Sequence, residues 1–147
     1  MGKAIEEIAV WRGHEIVLKV NDQNLQDFNQ QKLSNADVAI EFTGPHSAYD
    51  NIQQLMDYGI PVVSGSTGWT DRLEEIQQYC QKKNGSFLYA SNFSIGVNIF
   101  FELNKKLAAL MSPHPSYSIE MEEIHHTQKL DAPSGTAITL AEQIIEQ

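Results

Sequence analysis

"IPVVSGSTGW", Ile60 to Trp69, runs from an apolar strand pattern directly into small residues and glycines. A short apolar run ending this way reads as a buried strand feeding a loop, where absent side chains let backbone N–H groups approach a phosphate or a flat cofactor ring. Taken alone, the same residues also describe a βα turn in which Ser or Thr caps the next helix. The flanking sequence gives the stretch its context. Upstream, "ADVAIEFT" (Ala36 to Thr43) is a second apolar run, closed by the turn signal "GPHS" and followed by a helix that carries Ile52, Leu55 and Met56 as far as Gly59. Downstream, a helical pattern from about Asp71 to Lys83 leads into the strand "SFLYAS" (Ser86 to Ser91). This alternation predicts an α/β fold, a parallel sheet flanked by helices, with ligands at the carboxyl ends of the strands. The loops in "EFTGPH" (Glu41 to His46), "VVSGSTGW" (Val62 to Trp69) and "YASNFSIGVN" (Tyr89 to Asn98) are expected along one sheet edge.

Toward the N-terminus, Ile5, Ile8 and Ala9 predict a helix that stops at Gly13, and "EIVLKV" (Glu15 to Val20) predicts a strand. The rhythm changes near Asn92. A long apolar helix over Asn98 to Met111, with Phe100, Leu103, Leu107 and Leu110, is broken by "SPHPS". "YSIEMEEI" (Tyr117 to Ile124) then alternates, with Tyr117, Ile119 and Met121 on one face, as a half-buried strand does. Residues 1–95 are expected to form one domain and 96–147 the start of another. The chain opens on a helix without the strand that precedes it in a βαβ unit, and closes inside a helix. The expectation is part of a larger protein, or a unit that borrows its sheet from another chain.

Composition narrows the partners. The 147 residues carry a formal charge of −9, which disfavours nucleic acid and anionic membrane as general partners because phosphate binding needs an excess of Lys and Arg. An anionic ligand must then be held by a local site. No apolar run approaches the roughly 18 residues of a membrane span, and the default compartment is the cytoplasm. The single cysteine, Cys80, shares a helix face with Leu73 and Ile76 and reads as a buried structural thiol.

The densest chemistry lies in "EEIHHTQKLDAPSGTAITLAEQII", Glu122 to Ile145. Ala137, Leu140, Ala141 and Ile144 define a helix, with Pro133 suited to its first turn and Ser134 or Thr136 available as cap. The N–H groups of Gly135 and Thr136 then point out of a positive helix end, a ready carboxylate or phosphate site. Lys129 adds a full charge, and His125 and His126 titrate near neutral pH, which suits general acid–base work. Asp131 could orient one of these groups or cap the turn. A metal site from His125, His126 and a Glu is disfavoured, because adjacent residues on a strand point to opposite faces. Solvated histidines beside a surface lysine are the bland alternative. His14, His46 and His114 stand alone and receive no role.

"EIHHTQKLDAPSGTA" closely resembles the signature of the dihydrodipicolinate reductase family, nicotinamide-dependent enzymes of the diaminopimelate route to lysine. The resemblance extends through "IEFTGPH", "VVSGSTGW" and "SNFSIGVN" in the family's order. It implies a Rossmann-like N-terminal domain followed by an α+β C-terminal domain whose sheet forms a tetramer interface, making the protein a homo-oligomer. It further implies His125 as the acid–base residue and Lys129 as the proton donor, with His126, Gly135 and Thr136 holding the carboxylates of a cyclic dicarboxylate substrate. Phe42, Thr43, Gly65, Ser66, Thr67, Ala90, Ser91, Asn92 and Phe93 match the cofactor loops, with NADH or NADPH as cofactor and no metal. "MGK" looks like the tail of the family's G-x-G-x-x-G turn, with Gly2 as its last glycine. Asn21, followed by Asp22, stands where an acidic residue of the second strand is expected. A non-catalytic dinucleotide- or dicarboxylate-binding module, and a structural oligomerisation domain assembled through residues 117–124, are the competing readings.

Overall fold

The computed structural model of the chain describes residues 1–127 and 132–147. It divides into two compact units, Met1–Tyr89 and Ala90–Gln147.

In the first unit, α1 (Gly2–Trp11) is followed by a turn through Gly13, whose φ of 82° lies in the left-handed region that glycine enters without strain. α2 (Gln30–Leu33) is a single turn capped by Asn29, whose side-chain oxygen accepts from the Lys32 N–H at 3.1 Å. Then come β1 (Ala39–Glu41), α3 (Ala48–Asp57), β2 (Val62–Ser64), a 3-10 turn leading into α4 (Leu73–Lys82), and β3 (Phe87–Tyr89). The strands lie parallel in the order β1-β2-β3, with Ala39 opposite Val62 and Val62 opposite Phe87. This is a Rossmann-like arrangement. The helices arise because Ala48, Ile52, Leu55 and Met56 form one apolar stripe on α3, and Leu73 and Ile76 begin another on α4. Ile52, Val62, Ile76 and Trp69 close the core between helices and sheet. Lys83 and Tyr79 both reach Asp57, at 2.6 and 2.5 Å, tying the ends of α3 and α4 together. Lys83 first, then Tyr79, holds the Asp57 carboxyl below the usual carboxylate range.

The opposite face of the sheet carries Ile40 and Leu88, each about half exposed. Parallel strands normally have cover on both faces, so the stability of this unit rests on one side. Ile52→Ala is expected to cost about 2–5 kcal/mol and Leu88→Ala only about 0.5 kcal/mol, because Ile52 is 0% and Leu88 55% exposed. Urea midpoints of the two variants check this contrast.

The strand expected over residues 15–20 is not formed. Its Val and Ile content favours extended backbone, but a strand exists only through ladder bonds to a neighbour, and none runs beside this segment among the described residues. Leu18 still packs against the core, while Val17 and Val20 remain exposed. Cys80 is partly buried at the edge of that core.

In the second unit, α5 (Ile95–Met111) begins three residues before the expected Asn98, because the Ser94 hydroxyl caps it by accepting from the Val97 N–H. α6 (Gly135–Ile145) packs against it, burying Phe101, Ala108 and Ala137. The Asn104 amide donates to the Leu140 carbonyl at 3.0 Å and to Gln143 Oε1 at 3.1 Å, which satisfies the polar groups in this contact. Residues 117–124 likewise form no strand, and Tyr117, Ile119 and Met121 are exposed. Their alternation marks a sheet face, but no strand of this unit is available to pair with it among the described residues. Pro133 lies before the helix and outside its first turn, since Ser134 is the N-cap. No helix among the described residues is long and apolar enough to cross a membrane.

Candidate active site

Parallel pairing of Glu41 with Ser64 sends the chain out of β1 and β2 along the same sheet edge. The segments Phe42–Thr43 and Gly65–Ser66–Thr67 therefore sit side by side. The Gly65 N–H donates to the Glu41 carbonyl at 3.0 Å, and a Cβ on Gly65 would lie 2.2 Å from Phe42 Cε1. Any side chain at this position has to displace the Phe42 ring, which lies against the Gly65 α-carbon. Gly68 adopts a φ of 79° in the following turn. Below the loop, the buried Trp69 indole donates to the Ser66 carbonyl at 2.8 Å and meets Tyr89 edge-on, with centroids 5.6 Å apart.

Between the two loops lies a carboxylate that the motif reading passed over. Glu41 is 5% exposed. Its Oε1 accepts from the Thr43 N–H at 2.8 Å, the Thr43 hydroxyl at 2.5 Å and the Ser66 hydroxyl at 2.8 Å, while Oε2 accepts from the Ser64 hydroxyl at 2.5 Å. Thr43 Oγ1 in turn accepts from Ser47 and Asn51, at 3.1 and 3.3 Å. The Ser66 hydroxyl is buried and committed to Glu41. The signal in the sequence is a Glu at a core-facing position of the apolar run "AIEF", where an acidic side chain needs donors from elsewhere.

Gly2 is exposed at the first turn of α1, and Asn21 opens a tight turn in which its side chain accepts from the Gln23 N–H at 2.8 Å. Ala90, Ser91 and Asn92 are partly buried at the head of the second unit, where Asn92 Oδ1 accepts from the Ser94 N–H at 2.9 Å; Phe93 is half exposed.

Also in the second unit, the start of α6 is met by Glu123 and, through it, by His125. The Ser134 hydroxyl accepts from the Ala137 N–H at 3.1 Å, which leaves Gly135 and Thr136 as first-turn residues whose N–H groups have no intrahelical acceptor. The Ser134 N–H donates to the Glu123 carboxylate at 3.0 and 3.2 Å, and His125 Nδ1 lies 3.1 Å from the same group. Glu123 therefore bridges the helix start and the imidazole. His126 is exposed in the adjoining segment. Lys129 and Asp131 lie outside the described residues. No group of three His, Cys, Asp or Glu side chains converges on a metal-sized site among the described residues.

The parallel sheet with its small-residue edge loops places the chain in the Rossmann-type, dinucleotide-binding class of folds. Residues 1–93 match the family model for the dihydrodipicolinate reductase N-terminus, and residues 96–147 match that for its C-terminus. The chain belongs to the dihydrodipicolinate reductase family. It is 53% identical over 148 aligned residues to the 4-hydroxy-tetrahydrodipicolinate reductase of Christiangramia forsetii, covering 100% of this chain and 61% of that relative. It is 40% identical over 117 residues to the enzyme of the same name from Methanobrevibacter smithii, covering 79% of this chain and 42% of that relative. The chain thus spans about three fifths or less of the length of these curated relatives.

Proposed function

We propose that the chain carries the cofactor loops and catalytic segment of a 4-hydroxy-tetrahydrodipicolinate reductase, which uses NADH or NADPH in lysine biosynthesis by the diaminopimelate route. In this reading residues 1–95 are the dinucleotide-binding domain, and 96–147 begin the substrate-binding and oligomerisation domain. The reading extends to a cytoplasmic homotetramer. The observation that carries the chemical assignment is that the Glu123 carboxylate takes both the Ser134 N–H at the start of α6, at 3.0 and 3.2 Å, and His125 Nδ1, at 3.1 Å.

Each part has a physical task. Glu123 engages Nδ1 of His125, which leaves the Nε2 edge of the ring for the substrate. The first-turn N–H groups of Gly135 and Thr136, which have no acceptor within the helix, receive one substrate carboxylate, favoured by the positive helix end, and His126 contacts the other. Phe42, Thr43, Gly65, Ser66 and Thr67, with Ala90, Ser91, Asn92 and Phe93, line the nicotinamide side of the cofactor, and Gly2 lies toward its pyrophosphate. The fit rests on small side chains and open backbone at the edge loops, which present flat surface and hydrogen-bonding edges to a ring. The bound cofactor supplies the hydride. Loss of the substrate's 4-hydroxyl as water leaves a conjugated C=C–C=N unit to take the hydride, and His125 and Lys129 neutralise the negative charge that then develops on the ring and deliver the accompanying proton.

Oxidation of NADH or NADPH in the presence of 4-hydroxy-tetrahydrodipicolinate tests the reaction. Pyridine-2,6-dicarboxylate is expected to raise the apparent KM of the substrate without changing kcat, because it presents the same pair of carboxylates. Absence of competition at millimolar concentration would remove Gly135 and Thr136 from the substrate site.

A further inference from the structure

Buried carboxylates inside a sheet are costly unless every lone pair is used, so Glu41 calls for a physical explanation. Its four donors come from both sides of the β1–β2 edge: the Thr43 N–H and hydroxyl from the loop after β1, and the Ser64 and Ser66 hydroxyls from β2 and the loop after it. The Thr43 N–H is also 2.8 Å from Ser66 Oγ, which closes a small ring of polar contacts between the two loops. Within this unit the β1–β2 ladder fixes Glu41 opposite Ser64, but it ends there. Beyond that pair, the Gly65 N–H to Glu41 carbonyl bond, the Thr43 N–H contact to Ser66 Oγ and the carboxylate that takes donors from both loops hold them in step.

We infer that Glu41 is a positioning residue for the cofactor, clamping residues 42–43 and 65–67 into one rigid edge through Thr43 and Ser66. The inference rests on the cofactor reading above. It assigns Ser66 a supporting role, because its hydroxyl is spent on Glu41. The length of the side chain is decisive: an aspartate is one methylene shorter and cannot reach the donors on both loops, whereas a glutamine keeps the reach and an acceptor oxygen.

The test compares Glu41→Asp, Glu41→Ala and Glu41→Gln in the full chain, by titration with NADH and NADPH and by hydrogen exchange of the Thr43 amide. Asp and Ala are expected to lose Thr43 protection and to weaken cofactor binding about tenfold or more, with Gln within a few-fold of the wild type. A merely structural carboxylate would lower the melting temperature of the variants and leave the dissociation constant of the folded fraction alone. Thr43 protection lost with cofactor affinity unchanged would overturn the inference. So would protection retained in Glu41→Asp and Glu41→Ala, or a Glu41→Gln variant as impaired as Glu41→Ala. A wild-type chain that binds neither cofactor would instead overturn the cofactor reading, and this inference with it.

Discussion

His125→Ala is expected to lower kcat about 10²- to 10⁴-fold, the usual span for removing a positioned acid–base group, while leaving the cofactor dissociation constant nearly unchanged. The reasoning is local. The His125 side chain is 41% exposed and its described contact is the Glu123 carboxylate at 3.1 Å, so its removal opens no cavity and disturbs no core. The loss should therefore fall on the chemical step. Glu123 keeps the Ser134 N–H as a donor in the variant, so the start of α6 stays capped. Steady-state kinetics with both substrates varied, together with a cofactor titration, separate the effects. Equal losses in kcat and cofactor affinity would point to misfolding and remove His125 from its role.

The second large effect is expected at Gly65. An alanine there places Cβ 2.2 and 2.3 Å from two carbons of the Phe42 ring, well inside contact distance. The ring has to move, and Phe42 is covalently between Glu41 and Thr43, the two residues that lock the edge loops. Overpacking of this kind costs about 1–3 kcal/mol, and displacement of the loop is expected to weaken cofactor binding about tenfold or more. Gly2 supplies the contrast for stability. A Cβ on Gly2 meets nothing within 4 Å, and alanine is the better residue in a helix. Gly2→Ala should leave the melting temperature unchanged or slightly raised, while Gly65→Ala lowers it. Thermal melts and cofactor titrations of both variants check the pair; a Gly65→Ala chain with wild-type stability and affinity would contradict the packing account.

Much of the fold was legible because the helices announce themselves by spacing. The stripe Ala48, Ile52, Leu55 and Met56 is one face of α3, and it is that face which is buried. Strands were readable only where they find a partner. Residues 15–20 and 117–124 have the composition of strands, but pairing is a property of two segments, and a single segment does not reveal whether its neighbour is present. The same limit hid Glu41. Its donors on Ser64 and Ser66 lie more than twenty residues away in sequence, and parallel register alone brings them together. Local letters did reveal the α6 start, since Ser134 as cap and the apolar stripe behind it are neighbours in sequence. They did not reveal that Glu123 reaches across to the Ser134 N–H.

The central claim is that these loops hold a nicotinamide cofactor beside a dicarboxylate. The most direct measurement is a fluorescence titration of the chain with NADH and with NADPH, in the presence and absence of pyridine-2,6-dicarboxylate. The account predicts that one or both cofactors bind and that the dicarboxylate tightens the binding, because the proposed reaction passes a hydride directly from the cofactor to the ring that carries the carboxylates. Cofactor affinity indifferent to the dicarboxylate, or no binding of either cofactor, would contradict it.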